Sequence, residues 1–185
     1  MLASSPTPQR PPLQPRNLPG AHIPLSPAFQ RLATHMDIGW DLDGTLLDHP
    51  AAPALHSFIR RTPHIRHSVI TFRSACHVAP LARLAGYPDA PGAEAFAAVI
   101  HMPDQLAPSL AAAQSVDRRS PWPRFGRLLP FGRRAEDQAC RTWKGEACRQ
   151  RGITALVDDM TALVAEGCQR HGVDLFHPSD FLMPH

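Results

Sequence analysis

The alternation of short apolar runs with helical periodicity constrains this chain more than any other feature. His35–Gly44 sets Ile38 and Trp40 in an apolar stretch that passes into acids and a glycine, as a strand ending in a loop does. Residues 53–62 begin with Pro53, space Leu55, Phe58 and Ile59 at helical intervals and stop before Pro63, which predicts a short helix. The β-branched run His67–Phe72 predicts a second strand, and Val78, Leu81 and Leu84 share one helical face before Gly86. Phe96–Met102 reads as a third strand, Ala139–Arg151 as a helix stopped by Gly152, and Ile153–Asp158 as a fourth, buried strand. A helix ending at Gly172 and a fifth strand, Val173–His177, complete the series. Strands alternating with helices predict an α/β fold: a doubly wound, Rossmann-like parallel sheet with helices on both faces. Ligands of such sheets gather at the carboxyl ends of the strands.

The start of the chain lacks that pattern. Eight of the 21 prolines fall within residues 1–30. Proline fixes φ and removes a backbone donor, so 1–34 is expected to be a disordered tail. Residues 35–185 are then one domain, with an Arg/Pro-rich insert at about 103–137. The net charge of +3 resides entirely in Arg10, Arg16 and Arg31, and residues 37–185 balance 16 bases with 16 acids. A globally basic nucleic-acid binder is therefore not indicated. No apolar run approaches the about 18 residues a membrane span needs, and residues 1–16 lack the apolar core of a secretory signal. Cys76, Cys140, Cys148 and Cys168 form no CxxC pair, which argues against a zinc ribbon or a disulfide scaffold and for a cytoplasmic location.

The predicted strand ends carry most of the chemistry. The first runs into Asp41-Leu42-Asp43-Gly44-Thr45-Leu46-Leu47-Asp48, the second ends in Thr71-Phe72-Arg73, and the fourth in Asp158-Asp159. The only lysine among 19 basic side chains, Lys144, is expected near the start of the helix leading into the fourth strand. That places three or four carboxylates, a hydroxyl and an ammonium on one rim. Crowded carboxylates repel one another unless a cation holds them, and an oxygen-only donor set suits Mg²⁺. Such a rim can clamp a phosphoryl group, attack it with one carboxylate and protonate the leaving oxygen with another.

The order of these motifs resembles the haloacid dehalogenase superfamily of aspartate-nucleophile phosphohydrolases. Asp41-Leu42-Asp43-Gly44-Thr45-Leu46 matches its first motif, and Ser68-Val69-Ile70-Thr71 is similar to its second. Lys144 is similar to the third, and Leu156-Val157-Asp158-Asp159 to the fourth. The resemblance covers about residues 37–177. It implies a Mg²⁺-dependent phosphomonoester hydrolase working through an aspartyl-phosphate. Asp41 would be nucleophile and metal ligand, and Asp43 the general acid/base with its backbone carbonyl on the metal. Thr71 would hydrogen-bond the phosphoryl group, Lys144 would neutralise charge, and Asp158 would complete the metal site. Asp159 would hold a metal water or orient Lys144. Only 27 residues separate Asp43 from Thr71, and the stretch before Lys144 is short and proline-rich, so the resemblance is to a member with a minimal cap and an open site. The phosphorylated substrate is of unassigned class. A catalytically silent binding or scaffold protein is the alternative outside enzymes.

Other residues have plainer expectations. Asp48 is expected to cap the helix that follows or to be solvated. Arg73 either touches substrate or is a solvated loop arginine. His67 and His101 are expected to be hydrogen-bonded structural residues, and Cys76 a packed thiol. The stretch Arg118–Arg134 holds six arginines and no acid, interleaved with Trp122, Phe125 and Phe131. It is expected to be a surface loop, with a flap over the active site or a contact for a phosphate-rich substrate, nucleic-acid ends included, as the functional alternatives.

Overall fold

A computed structural model describes residues 26–73, 80–106 and 131–182. Five strands form one all-parallel sheet: β1 (Asp37–Trp40), β2 (Arg66–Thr71), β3 (Phe96–His101), β4 (Ala155–Val157) and β5 (Asp174–Phe176). Their spatial order is β3-β2-β1-β4-β5. The central strand β1 pairs with β2 on one side, Ile38 opposite His67, and with β4 on the other, Ile38 opposite Ala155. All five lie where the apolar runs predict them. β2, β3 and β4 end one residue short of their apolar runs, yet the next backbone N–H still bonds across the sheet where Met102 N donates to Thr71 O at 3.1 Å and Asp158 N to Phe176 O at 3.0 Å.

Between the strands run α2 (Ala52–Arg61), α3 (Pro80–Leu84), a long α4 (Phe131–Arg151) and α5 (Thr161–His171). Gly172 ends α5 in the left-handed region, at φ 66°, which a glycine adopts without steric cost. Alternate strand residues feed two apolar clusters. Ile38, Trp40, Val69, Ala155, Val157 and Phe176 join Leu55, Phe58 and Ile59 of α2. Ile70 and Leu156 join Ala147 and Cys148 of α4 and Leu163, Val164 and Cys168 of α5. At the centre Trp40 is fully buried, and its Nε1 donates to His67 Nδ1 at 3.1 Å. An indole nitrogen can only donate, so the imidazole proton sits on Nε2, which faces Thr62 Oγ1 at 3.1 Å. Burial also lowers the His67 pKa, and the ring is a neutral structural residue as expected.

Two expectations are corrected. Residues 27–32 form a helix, α1 (Pro27–Leu32), and belong to the domain rather than to a tail. Pro27 occupies the first turn, where no donor is missed, and the Ser26 side chain accepts from Phe29 N. Phe29 and Leu32 are buried in the core, Phe29 stacking on Phe58 at 5.2 Å and meeting Phe181 at 4.7 Å. Residues 1–25 lie outside the described residues. The second correction concerns the insert, because α4 starts at Phe131 rather than near Ala139 and takes the last seven residues of 103–137. Its first turns lack apolar periodicity, which hid them. Lys144 therefore lies past the middle of its helix, not near the start. Among the described residues no helix is long and apolar enough to cross a membrane.

Candidate active site

The site is built on the carboxyl ends of β1, β2 and β4. Asp41 continues the ladder beyond β1, its N–H donating to Val157 O at 2.9 Å, and Asp158 likewise donates to Phe176 O at 3.0 Å. The loop after Asp41 is held from below: Leu42, Leu46 and Leu47 are fully buried, and Leu47 N donates to Leu42 O at 2.8 Å. Gly44 turns that loop at φ 74°, and a Cβ there would lie 2.5 Å from Asp159 Oδ2. The positive φ favours glycine there, and a larger residue would also have to displace the Asp159 carboxylate. Thr45 ties the two loops together, its hydroxyl accepting from Asp159 N at 3.2 Å.

Lys144 reaches this rim from α4. The helix can come so close because Gly145 faces Gly167 of α5, where a Cβ would fall onto the Gly167 backbone. The side chain is fully buried, and Nζ donates to Asp41 Oδ1 and to Asp158 Oδ2, each at 2.6 Å. The Phe72 ring lies 4.2 Å from the same nitrogen. Burial would lower the lysine pKa, but Asp41 and Asp158 more than offset it, so the net shift is upward and the ammonium is permanent.

One ammonium does not balance the carboxylates around it. Asp41, Asp158 and Asp159 each offer an oxygen, and all three lie within 4.8 Å of one another. Burial raises Asp41 from 3.8 to about 7, with the Asp158 and Asp159 charges adding to the rise and Lys144 opposing it. Asp159 is also raised, by burial and by Asp158, and its Oδ1 is buried without a hydrogen-bond partner among the described residues. An oxygen-only cluster, short of positive charge and with an orphaned carboxylate oxygen, fits a hard divalent cation such as Mg²⁺. Asp41, Asp158 and Asp159 are the side chains that could hold one.

The sequence-predicted residues therefore converge, with one difference in detail. Asp41, Thr71, Lys144 and Asp158 are buried together at the strand ends. The Asp43 carboxylate instead turns outward and is clamped by Arg73, Nε to Oδ2 and Nη2 to Oδ1 at 2.6 Å each. These hydrogen bonds hold Asp43 below the usual carboxylate range. Arg83 approaches the same carboxylate at 3.4 Å and Asp48 at 3.5 Å. Arg73 is thus neither a solvated loop arginine nor an isolated one. Its N–H also donates to Thr71 Oγ1 at 3.2 Å, which leaves the threonine proton free to be donated elsewhere.

Sequence reasoning missed Phe72 and Thr45 as supporting residues; each adjoins or lies within a motif, but packing on a lysine or between two loops leaves no periodic signal. Asp48 does not cap α2, whose cap is Ala51 without a side-chain bond. Asp48 accepts from Tyr87 Oη at 2.7 Å instead. Cys148 and Cys168 are buried thiols, both pushed up by burial, Cys168 to about 12, and are inert as nucleophiles. Cys76 and the Arg118–Pro130 stretch lie outside the described residues. Compared with known proteins, the chain matches no family model, no curated protein and no solved structure.

Proposed function

We propose that this chain is a Mg²⁺-dependent phosphomonoester hydrolase that uses Asp41 as a covalent nucleophile, on a doubly wound sheet of the haloacid dehalogenase kind. The strand order turning back at β1 and the two apolar clusters support that arrangement. One observation carries the functional reading: a fully buried lysine bridges two carboxylates at 2.6 Å while a third crowds the same point. Folding alone gains little from such a cluster, since burying two acids and one base beside a third, half-buried acid costs desolvation that the two Lys144 ion pairs do not clearly return.

Each side chain has a part that its position allows. Asp41 attacks phosphorus, forming an aspartyl-phosphate as the bond to the leaving oxygen breaks. Asp43, once released from Arg73 and protonated, gives that oxygen its proton, then takes one from the water that attacks the aspartyl-phosphate and frees inorganic phosphate. The Thr71 hydroxyl donates to a phosphoryl oxygen, its oxygen accepting from the Arg73 backbone N–H while its proton stays available. Lys144 compensates charge on Asp41 and on the transferring group without moving, because two carboxylates and the Phe72 ring hold it. Asp41, Asp158 and Asp159, with the Asp43 backbone carbonyl that the resemblance implies, would hold Mg²⁺, which would supply Lewis-acid compensation of the phosphoryl charge.

The test is hydrolysis of p-nitrophenyl phosphate by the full chain with Mg²⁺, with EDTA, and by Asp41→Asn. Turnover that needs both the metal and Asp41 is expected. Turnover indifferent to both contradicts the reading, and a folded protein with no turnover on any phosphomonoester favours the scaffold alternative.

A further inference from the structure

Lys144 and Arg73 both face the site, and they are held very differently. Lys144 is fully buried between two carboxylates, whereas the Arg73 side chain is 28% exposed and its partner Asp43 44% exposed. We propose that Arg73 is the residue that recognises the substrate's phosphoryl dianion, and that it does so by changing partner: without substrate it is held by Asp43, and an arriving phosphate monoester takes the place of that carboxylate. The inference rests on the phosphohydrolase reading of this site.

The exchange follows from geometry. A guanidinium presents a planar fork of donors that fits two oxygens of a carboxylate or two of a phosphate equally well. In the present arrangement the fork is spent on Asp43 through Nε and Nη2. The same carboxylate is the one required beside the leaving oxygen, so the two roles of Asp43 conflict until something else takes the guanidinium. A phosphate dianion brings more charge than a carboxylate and so competes for the fork.

The backbone around Arg73 is tied into the domain, while its side chain is held only by the part-exposed Asp43 pair. Arg73 N donates to Thr71 Oγ1 at 3.2 Å, and Arg73 O accepts from Met102 N at 3.2 Å. A rotation of the side chain alone therefore suffices, with the Thr71 hydroxyl kept in place. A half-exposed ion pair is cheap to break, unlike the buried Lys144 contacts. Arg83, at 3.4 Å from Asp43 and 3.5 Å from Asp48, remains as a looser counter-charge once Arg73 has left.

The decisive experiment is calorimetric titration of inorganic phosphate, in Mg²⁺, into wild type, Arg73→Gln, Arg73→Ala, Asp43→Asn and the double variant Asp43→Asn/Arg73→Gln. KM and kcat for p-nitrophenyl phosphate are measured on the two Arg73 variants. Loss of Arg73 is expected to weaken phosphate binding by about tenfold or more and to raise KM in parallel. Asp43→Asn releases Arg73 from its competitor, and is expected to tighten phosphate binding by up to about fivefold. That gain should vanish in the double variant. Unchanged phosphate affinity in both Arg73 variants overturns the proposal. So does weakening in them without any tightening in Asp43→Asn, which would make Arg73 a support for Asp43 only. Because the titration needs no turnover, an inactive wild type that still binds phosphate through Arg73 would sink the hydrolase reading and not the exchange. An active wild type indifferent to Arg73 would do the reverse.

Discussion

Lys144 is where chemistry and packing are hardest to separate. Its ammonium fits between Asp41 and Asp158 with a ring on another side, at 2.6, 2.6 and 4.2 Å. A guanidinium is larger and planar, and would have to push aside a carboxylate or the Phe72 ring. Lys144→Arg is therefore expected to keep a native circular dichroism spectrum and to lose about 10²–10³ in kcat. Near-wild-type kcat would mean that the ammonium plays no part in turnover. The lysine was legible in the sequence because it stands alone among 18 arginines and returns, through a helix, to the rim that Asp158 ends on. The Arg73–Asp43 pair was not legible. Thirty positions separate the two, and nothing in a lone arginine after a strand says which acid it will meet.

Helix α1 shows how an element can be missed when a rule is applied without its exception. Eight prolines in thirty residues argue against helix, yet Pro27 sits in the one turn that tolerates it, behind the capping side chain of Ser26. The six-residue helix is too short to persist alone, and its place depends on Phe29 and Leu32. Truncating Phe29, which packs between Phe58 and Phe181, is expected to cost about 3 kcal/mol in urea unfolding. A loss below about 1 kcal/mol would mean that the helix packs loosely on the domain. The strands were more legible than the helices because parallel strands are buried on both faces and read as unbroken apolar runs. The first turns of α4 were invisible, since Phe131–Gln138 carries arginines, acids and a glycine rather than an apolar stripe.

Across the whole molecule, the sheet gathers acids from distant parts of the chain at one point, and stability should record the strain of that gathering. Burial raises Asp41 to about 7 and raises Asp159 as well. A carboxylate raised on folding stabilises the native state below its unfolded value, near 3.8, and that contribution is lost as pH climbs through the folded value. On the proposed reading, Mg²⁺ competes with the proton for the same oxygens. The rise in Tm on adding Mg²⁺ should thus be large at pH 8 and small at pH 5.5, with Asp158→Asn reducing the rise at pH 8. The buried histidines His56 and His67, whose pKa values are lowered by burial, cancel in that difference. An equal rise at both pH values would place the cation somewhere other than this cluster. The central claim, that Asp41 itself carries the phosphoryl group, is tested most directly by trapping. Borohydride reduces an acyl phosphate to an alcohol, so quenching the enzyme during turnover of p-nitrophenyl phosphate with Mg²⁺ should convert Asp41 to homoserine, read by peptide mass spectrometry. The account predicts that product at Asp41 and at no other acid, and its absence when Mg²⁺ or substrate is withheld. Reduction at Asp43, Asp158 or Asp159 instead, or at no acid while turnover proceeds, would contradict it.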